Sequence, residues 1–294
     1  MKSAKFITAL TVFLIGVSFY SNAQNRHLYK GQYHRGNSQP NISFKGITKN
    51  ELITIYGTTG LATYNGDLSG TIGGHSYRPQ IGGGAILRTK YFGKRLYLRA
   101  DVRMFRLYSN DIHESRNLNF RSTNWEFLAL GQFELFPYEK LMRRRPLINP
   151  YVYAGVGLMT FDAWGQLGNG KWTQLRPLET EGVKYGNVAF TYTLGFGLKF
   201  RYSYKWNFML EGGYRFTSTD YIDDVSKYEY VYSSDPGSSK SAQMSNKSDN
   251  QSLTGGRGSE KYKDGYAILS VGVTYTFTKF HKARTGSAKN LLRK

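Results

Sequence analysis

The stretch Val188-Ala-Phe-Thr-Tyr-Thr-Leu-Gly-Phe-Gly-Leu-Lys-Phe-Arg-Tyr202 decides the fold class, because its polarity alternates with a period of two. The even positions are all apolar or aromatic, whereas the odd positions are small, polar or charged. A β-strand directs successive side chains to opposite faces. An α-helix would place Phe190 and Lys199 on overlapping faces, so the stretch predicts one long amphipathic strand.

The same alternation recurs along the chain and gives about eight predicted strands in all. Most are long enough to cross a membrane when tilted, which takes about 9–11 residues, whereas strands of soluble proteins have about 5–6. A soluble β-sandwich or a lipocalin, with its apolar face inward, is the alternative. The pattern favours an all-β fold, an eight-stranded up-and-down antiparallel transmembrane β-barrel over residues 51–280 with a closed, side-chain-filled lumen. The other segments are 52–62, 81–87, 96–104, 125–135, 152–158, 206–216 and 269–277.

The composition excludes several classes of protein. The 294 residues include no cysteine, which excludes a disulfide scaffold, a thiolate metal site and a cysteine nucleophile. No apolar run of about 20 residues follows residue 20, so no transmembrane helix is predicted for the mature chain. The chain combines 16% aromatic residues with a mean hydropathy of -0.49, as expected where apolar and polar residues alternate.

The N-terminus has the three parts of a signal peptide. Lys2 and Lys5 precede an apolar stretch, residues 6–20, and Ser21-Asn22-Ala23 forms a small-residue cleavage site. The alternative, a short membrane anchor, would need a longer apolar run. We predict that residues 1–23 are removed after Ala23, so that the chain is exported and residues 24–50 form a basic periplasmic tail.

The predicted connections between strands alternate between short and long. Outer-membrane barrels have short periplasmic turns and long external loops, so an even number of strands places both termini in the periplasm. The part of the last loop at 233–258 is rich in Ser, Gly, Asn and Lys and is predicted to be disordered. The short connections are 91–95, 137–147 and 203–205, and the long ones are 63–78, 107–121, 162–187 and 218–265.

The net charge of +20 is distributed unevenly over this topology. Almost all the excess positive charge falls on the short turns and on the two tails, 24–50 and 281–294. Such a basic rim can anchor the barrel near lipid head groups or form a docking collar for an acidic periplasmic partner. An exported barrel does not meet nucleic acid in the periplasm. The candidate docking residues are Arg95, Lys140, Arg143, Arg144, Arg145, Lys282 and Arg284.

The charged residues predicted to face the lumen have both signs, so we expect them to neutralise one another as a structural plug. No catalytic set, metal site or cofactor is predicted. A barrel enzyme would need a histidine such as His75 or His113 at the external rim. Asp220, Asp223 and Asp224 could bind calcium, but a solvated acidic loop is favoured. The inward set comprises Arg88, Arg99, Asp101, Arg103, Glu126, Glu134, Lys199, Glu211 and Arg215.

Several blocks of the sequence resemble one known family. They include Tyr64-Asn-Gly-Asp-Leu68, Leu175-Arg-Pro-Leu-Glu-Thr-Glu-Gly182 and Thr217-Ser-Thr-Asp-Tyr-Ile-Asp-Asp-Val-Ser226. Over about residues 50 to 280 the chain resembles the PorG-type outer-membrane barrels of the type IX secretion system of Bacteroidota. Other matching blocks are Arg78-Pro79, Phe120-Arg-Ser-Thr-Asn-Trp-Glu126 and Asn149-Pro-Tyr-Val-Tyr-Ala-Gly155.

The resemblance implies a non-enzymatic barrel without cofactors. Members of the family contact a periplasmic ring formed by a lipoprotein and its associated subunit, so the implied partners are that ring and the lipid of the outer membrane. The alternative function is a small structural or adhesive barrel, whose external loops 162–187 and 218–265 would bind a ligand or a surface.

Overall fold

The computed structural model describes residues 53–68, 76–89, 92–111, 117–139, 144–167, 170–228, 239–247, 257–259 and 263–277. The chain divides into two units, Met1–Lys45 and Gly46–Lys294, and the first lies outside the described residues. The predictions of a cleaved segment 1–23 and of basic tails at 24–50 and 281–294 also fall outside them.

Ten strands occur in the described residues, eight of them long. The long strands have 11 to 16 residues, as the alternating segments predict. Two three-residue strands, β6 and β7, form a small hairpin between β5 and β8. The strands are β1 Ile53–Asn65, β2 Arg78–Arg88, β3 Leu96–Asn110, β4 Asn119–Glu134, β5 Ile148–Thr160, β6 Trp164–Gln166, β7 Trp172–Gln174, β8 Val188–Arg201, β9 Trp206–Thr217 and β10 Gly265–Thr276.

The eight long strands close into an up-and-down barrel. Each pairs antiparallel with the next long strand in the chain, and β5 pairs with β8 across the small hairpin. Closure comes from β1 and β10, which pair from Thr54 opposite Thr276 to Asn65 opposite Gly265. Because every long strand has two neighbours, the barrel wall has no open edge. The predicted fold class is confirmed.

The polarity of the two strand faces is the reverse of that in a soluble β-protein. On β8 the outward side chains of Tyr192 and Leu194 are 55% and 60% exposed, whereas the inward Thr191 and Thr193 are buried. The inward face of the barrel also holds most of the predicted lumen charges, including Arg103 and Glu126 at 1% and 0% exposure. Side chains therefore fill the lumen, and the apolar residues cover the outer wall.

The two ends of the barrel differ. The end formed by the three short connections, which we call the short-turn end, also receives both ends of the barrel sequence, since the N–H of Phe277 bonds the carbonyl of Ile53 at 3.1 Å. The four long loops meet at the opposite end, the loop end. Among the described residues, no helix has the length and apolar character needed to cross a membrane.

The long loops fold over the loop end and form a cap, which we define as the described parts of 161–187 and 218–264. Its apolar residues Leu175, Ile222 and Val225 pack with lumen residues such as Phe105 and Tyr266 in one buried cluster. The cap includes 3₁₀ turn Arg176–Leu178 and a short helix, α1, Lys240–Ser245, capped by the Ser239 hydroxyl. The prediction of disorder for 233–258 is therefore wrong at 239–247 and 257–258, because burial against the cap offsets the polar composition.

Candidate functional site

The basic rim lies at the short-turn end, and three of its seven predicted residues are described. Arg144 is exposed, and Arg95 is half-buried after the 3₁₀ turn Phe92–Lys94, with its N–H bonded to the carbonyl of Phe92 at 3.2 Å. Arg145 is also half-buried. The remaining candidates lie outside the described residues: Lys140, Arg143, Lys282 and Arg284.

Arg145 binds its own turn. Its Nε donates to the carbonyl of Glu139 at 2.6 Å, and its guanidinium lies 4.2 Å from the ring centre of Tyr138 and 4.8 Å from that of Tyr204. Arg88 lies 3.3 Å from the centre of the same Tyr138 ring. Each contact is a cation–π interaction. The Tyr138 ring thus joins a lumen arginine to the rim, and Arg145 orders the turn between β4 and β5.

The middle of the lumen holds a buried ion network. The Arg99 guanidinium donates to Asp101 at 2.8 and 2.9 Å and also pairs with Glu211. Arg103 donates to the same two carboxylates at 2.9 and 3.3 Å, and the hydroxyl of Tyr151 donates to Glu211 at 2.7 Å. Two guanidiniums and two carboxylates therefore balance one another, as the sequence predicts.

The same compensation occurs above and below this network. Arg215 lies 3.7 Å from Glu126, which accepts a hydrogen bond of 2.6 Å from the hydroxyl of Tyr266. Lys199 pairs with Glu134 close to the short-turn end. The expectation that lumen charges neutralise one another is confirmed for these residues, which link strands that are not neighbours in the barrel wall.

A second buried ion pair organises the cap. Arg257, fully buried, pairs with Glu181 and lies 3.7 Å from Asp224. Glu181 also accepts from the N–H groups of Ser226 at 3.0 Å and Lys227 at 3.1 Å. Burial raises the pKa of Asp224, and the nearby Arg257 charge opposes that shift. The sequence alone could not have predicted a buried role for Arg257, because it lies in a Gly/Ser-rich stretch. Its partner Glu181 belongs to a block that carries the family resemblance.

A third buried cluster places two carboxyl groups around one hydroxyl. Tyr64 contacts Asp223 at 2.7 Å and Asp264, and the N–H of Ile222 donates to Asp264 at 2.9 Å. Burial raises the pKa values of Asp223 and Asp264. The charge of Asp264 raises the pKa of Asp223 further, the charge of Asp220 does the same for Asp264, and Asp67 contributes to both shifts. Two carboxylates this close cannot both ionise cheaply, so the arrangement favours the protonated form of one of them.

These contacts correct the interpretation of the acidic segment. The prediction of a solvated acidic loop is wrong for Asp223 and Asp224, which are each 1% exposed. The two side chains enter different networks, one around Tyr64 and one around Arg257, because adjacent residues point in different directions. Among the described residues, no group of three acidic or histidine side chains is placed to hold a metal ion. His75 and His113, the histidines considered for an enzyme, lie outside them.

The outer wall carries an aromatic band near each end. Tyr202, Trp206 and Tyr275 lie near the short-turn end, where the Trp206 and Tyr275 ring centres are 4.8 Å apart. Tyr192 and Phe216 lie towards the loop end. Tyr192 and Tyr202 are ten residues apart, about 33 Å along a strand, or about 25 Å along the axis of a barrel whose strands tilt by about 40°.

The comparisons with known proteins return β-barrels of low sequence identity. The chain is similar to Neisserial surface protein A, with 12% identity, a TM-score of 0.39, and 76% of this chain and 97% of that one covered. It is also similar to Ail of Yersinia pestis (9%, TM-score 0.37, 78% and 100% covered) and to the outer membrane protein OprG of Pseudomonas aeruginosa (10%, TM-score 0.38, 80% and 100%). No family model and no curated protein matches the chain.

Proposed function

We propose that this protein spans the outer membrane as a closed β-barrel. The observation that carries the proposal is the inverted polarity of the wall: apolar side chains cover the outside, whereas arginines and carboxylates are buried inside. A closed barrel satisfies its backbone hydrogen bonds without water, which a hydrocarbon environment requires. The spacing of the aromatic bands agrees with the apolar belt of about 25 Å found in such barrels. The signal peptide predicted at residues 1–23 supports export.

Within that membrane we propose a non-enzymatic role in the type IX secretion system, as an anchor or docking subunit for its periplasmic ring. The fold brings together three blocks that carry the family resemblance. Glu181 of one block binds Ser226 of another, and Tyr64 of a third contacts Asp223. Residues distant in sequence thus form one buried structure, which supports reading the blocks as features of a shared fold.

The docking surface in this proposal is the basic rim. Short turns and both ends of the barrel sequence share one end, which is the periplasmic end in outer-membrane barrels. The rim therefore faces the ring lipoprotein and its associated subunit. Arg144 is exposed and available for an acidic partner, whereas Arg145 is engaged with its own turn. Lys140, Arg143, Lys282 and Arg284 complete the proposed surface.

Crosslinking and pull-down from outer membranes test the docking role. The test variant carries Arg143→Glu and Arg144→Glu and lacks residues 281–294, and Arg145 is kept because it orders the turn. The control carries Lys184→Glu and Lys240→Glu, two exposed cations at the loop end. Heat-modifiable gel mobility verifies that each barrel is folded.

Capture of ring components by the wild type and the control, but not by the test variant, supports the basic rim as the docking surface. Equal capture by all three assigns the positive charge to lipid anchoring and overturns the rim as the docking surface. If the wild type captures no ring component, the secretion role is overturned. The external loops then become the next candidates for function.

A further inference from the structure

A groove on the outer wall at the loop end combines cations with aromatic rings. It has a volume of about 700 Å³ and lies between the ends of β3 and β4 and the β6–β7 hairpin. Three arginines line it, Arg78, Arg106 and Arg121, together with two tryptophans, Trp164 and Trp172. In contrast to Arg99 and Arg103 of the lumen, none of these three arginines forms an ion pair with another of the described residues.

The geometry holds the arginines at the surface. Arg78 lies 4.2 Å from the ring centre of Tyr108, and Arg121 lies 4.1 Å from that of Trp172. Arg106 on β3 is directly opposite Thr123 on β4. Arg106 and Arg121 are therefore diagonal neighbours on the same face, with about 7 Å between their Cα atoms. The carboxylate in the groove, Asp162, is bound by Arg176 at 3.3 Å and by Gln174 at 2.6 Å.

The position of the groove along the barrel axis indicates which kind of ligand can reach it. Trp125, 47% exposed, is the outward residue of β4 at the top of the apolar wall, and Arg121 lies four residues nearer the loop end. That separation is about 13 Å along the strand, or about 10 Å along the barrel axis. Arg106 and Arg121 therefore lie on the outward face of the barrel just beyond the last large apolar residue of β4, on the side of the wall that a surrounding bilayer would contact.

We propose that this groove binds the phosphorylated head group of a lipid in the outer leaflet. Arginine presents a planar fork that binds phosphate in a bidentate manner, and two diagonal arginines can share one phosphate or hold two neighbouring ones. Tryptophan is favoured at membrane interfaces, where its ring is buried and its N–H meets polar groups. The inference depends on the outer-membrane location proposed above but not on docking to a periplasmic ring.

Native mass spectrometry of the full chain in uncharged detergent tests the proposal. The probes are diphosphoryl lipid A and the same lipid after removal of its phosphates. We compare the wild type with Arg106→Gln/Arg121→Gln and with a control, Lys184→Gln/Lys240→Gln, which removes equal charge from exposed sites at the same end. A third variant, Arg106→Lys/Arg121→Lys, keeps the charge but removes the fork.

The proposal predicts that the wild type and the control prefer the phosphorylated lipid and that the glutamine variant loses about tenfold or more in affinity. The lysine variant should be intermediate. Equal binding by the glutamine variant, or no preference for phosphate, would overturn the proposal. Binding of inorganic phosphate as tightly as the lipid would also overturn it, since the groove would then be a free-ion site. Membrane fractionation tests the location separately, so a failure there is distinguishable.

Discussion

The ring of Tyr153 on β5 covers Gly195, its directly opposite neighbour on β8, so that a side chain on Gly195 would occupy the space of the ring. Tyr151 and Gly197 repeat the relationship two positions along the same strands. The tyrosines can lie across the sheet only because the neighbouring strand lacks side chains there. The inward glycines of β8 thus set the position of the hydroxyl that Tyr151 donates to Glu211.

Replacement of Gly195 should therefore destabilise the barrel. We expect Gly195→Ala to lower the free energy of unfolding by about 1–3 kcal/mol, because a Cβ would collide with Tyr153 and with the carbonyl of Gly212. Guanidinium unfolding of the detergent-solubilised barrel measures the effect. The control is Gly212→Ala, where the nearest atom to a Cβ lies at 3.6 Å, an ordinary contact. Equal unfolding midpoints for the two variants would contradict the packing argument.

Glu211 is the carboxylate that balances the central lumen network. Glu211→Gln should cost about 3–5 kcal/mol, since it leaves Arg99 and Arg103 with one buried carboxylate between them. The matched change Glu179→Gln affects a pair with Lys184 at 3.7 Å that is exposed to water, and should cost less than about 1 kcal/mol. The unfolding midpoints of both variants measure the difference. Similar midpoints would show that the buried Glu211 contributes no more to stability than the exposed Glu179.

The cap should depend on Arg257. Arg257→Gln removes the charge that pairs with Glu181 and Asp224, so we expect the cap to loosen while the barrel stays folded. Hydrogen exchange should accelerate at the amides of Ser226 and Lys227, whose N–H groups bind Glu181. Lys240→Gln, at an exposed site on α1, is the control. Unchanged exchange at these two amides would show that the ion pair does not hold the cap.

The order of the cap should also depend on pH through Asp223 and Asp264. Their folded pKa values are raised, so their contribution to stability is complete below the unfolded value of about 4 and is lost as pH rises through the raised values. Protection of the Ile222 amide, corrected for intrinsic exchange, should therefore be greater at pH 5 than at pH 8.

The variant Asp264→Asn should flatten that dependence, because only the carboxyl of Asp223 then remains beside the Tyr64 hydroxyl. Asp67 and Asp220 add negative charge around the pair and stay in place in this variant. The control Asp162→Asn removes a half-exposed carboxylate at the same end and should leave the dependence intact. Equal protection at both pH values in the wild type would mean that the pair does not titrate in this range.

The strands and their inward charges could be predicted from the sequence because alternation is a local property. Phe190, Leu194 and Lys199 need only their own neighbours to be assigned to a face. The cap could not be predicted in the same way. Arg257 lies in a stretch whose composition indicates disorder, and its partner Glu181 lies far away in sequence. Only the closed barrel brings the two loops together, so no local pattern records the pair.

By itself the sequence determined the alternation, the number of long strands, the distribution of charge between turns and loops, and the mixed charges of the lumen. The tertiary structure decided which charged groups pair: Arg99 with Glu211 and Arg257 with Glu181. It also placed the Tyr138 ring between the guanidinium groups of Arg88 and Arg145. It also turned Asp223 and Asp224 inward. The reason is physical: a strand's periodicity fixes the side on which a residue lies, whereas its partner depends on closure, register and loop packing, which join residues distant along the chain.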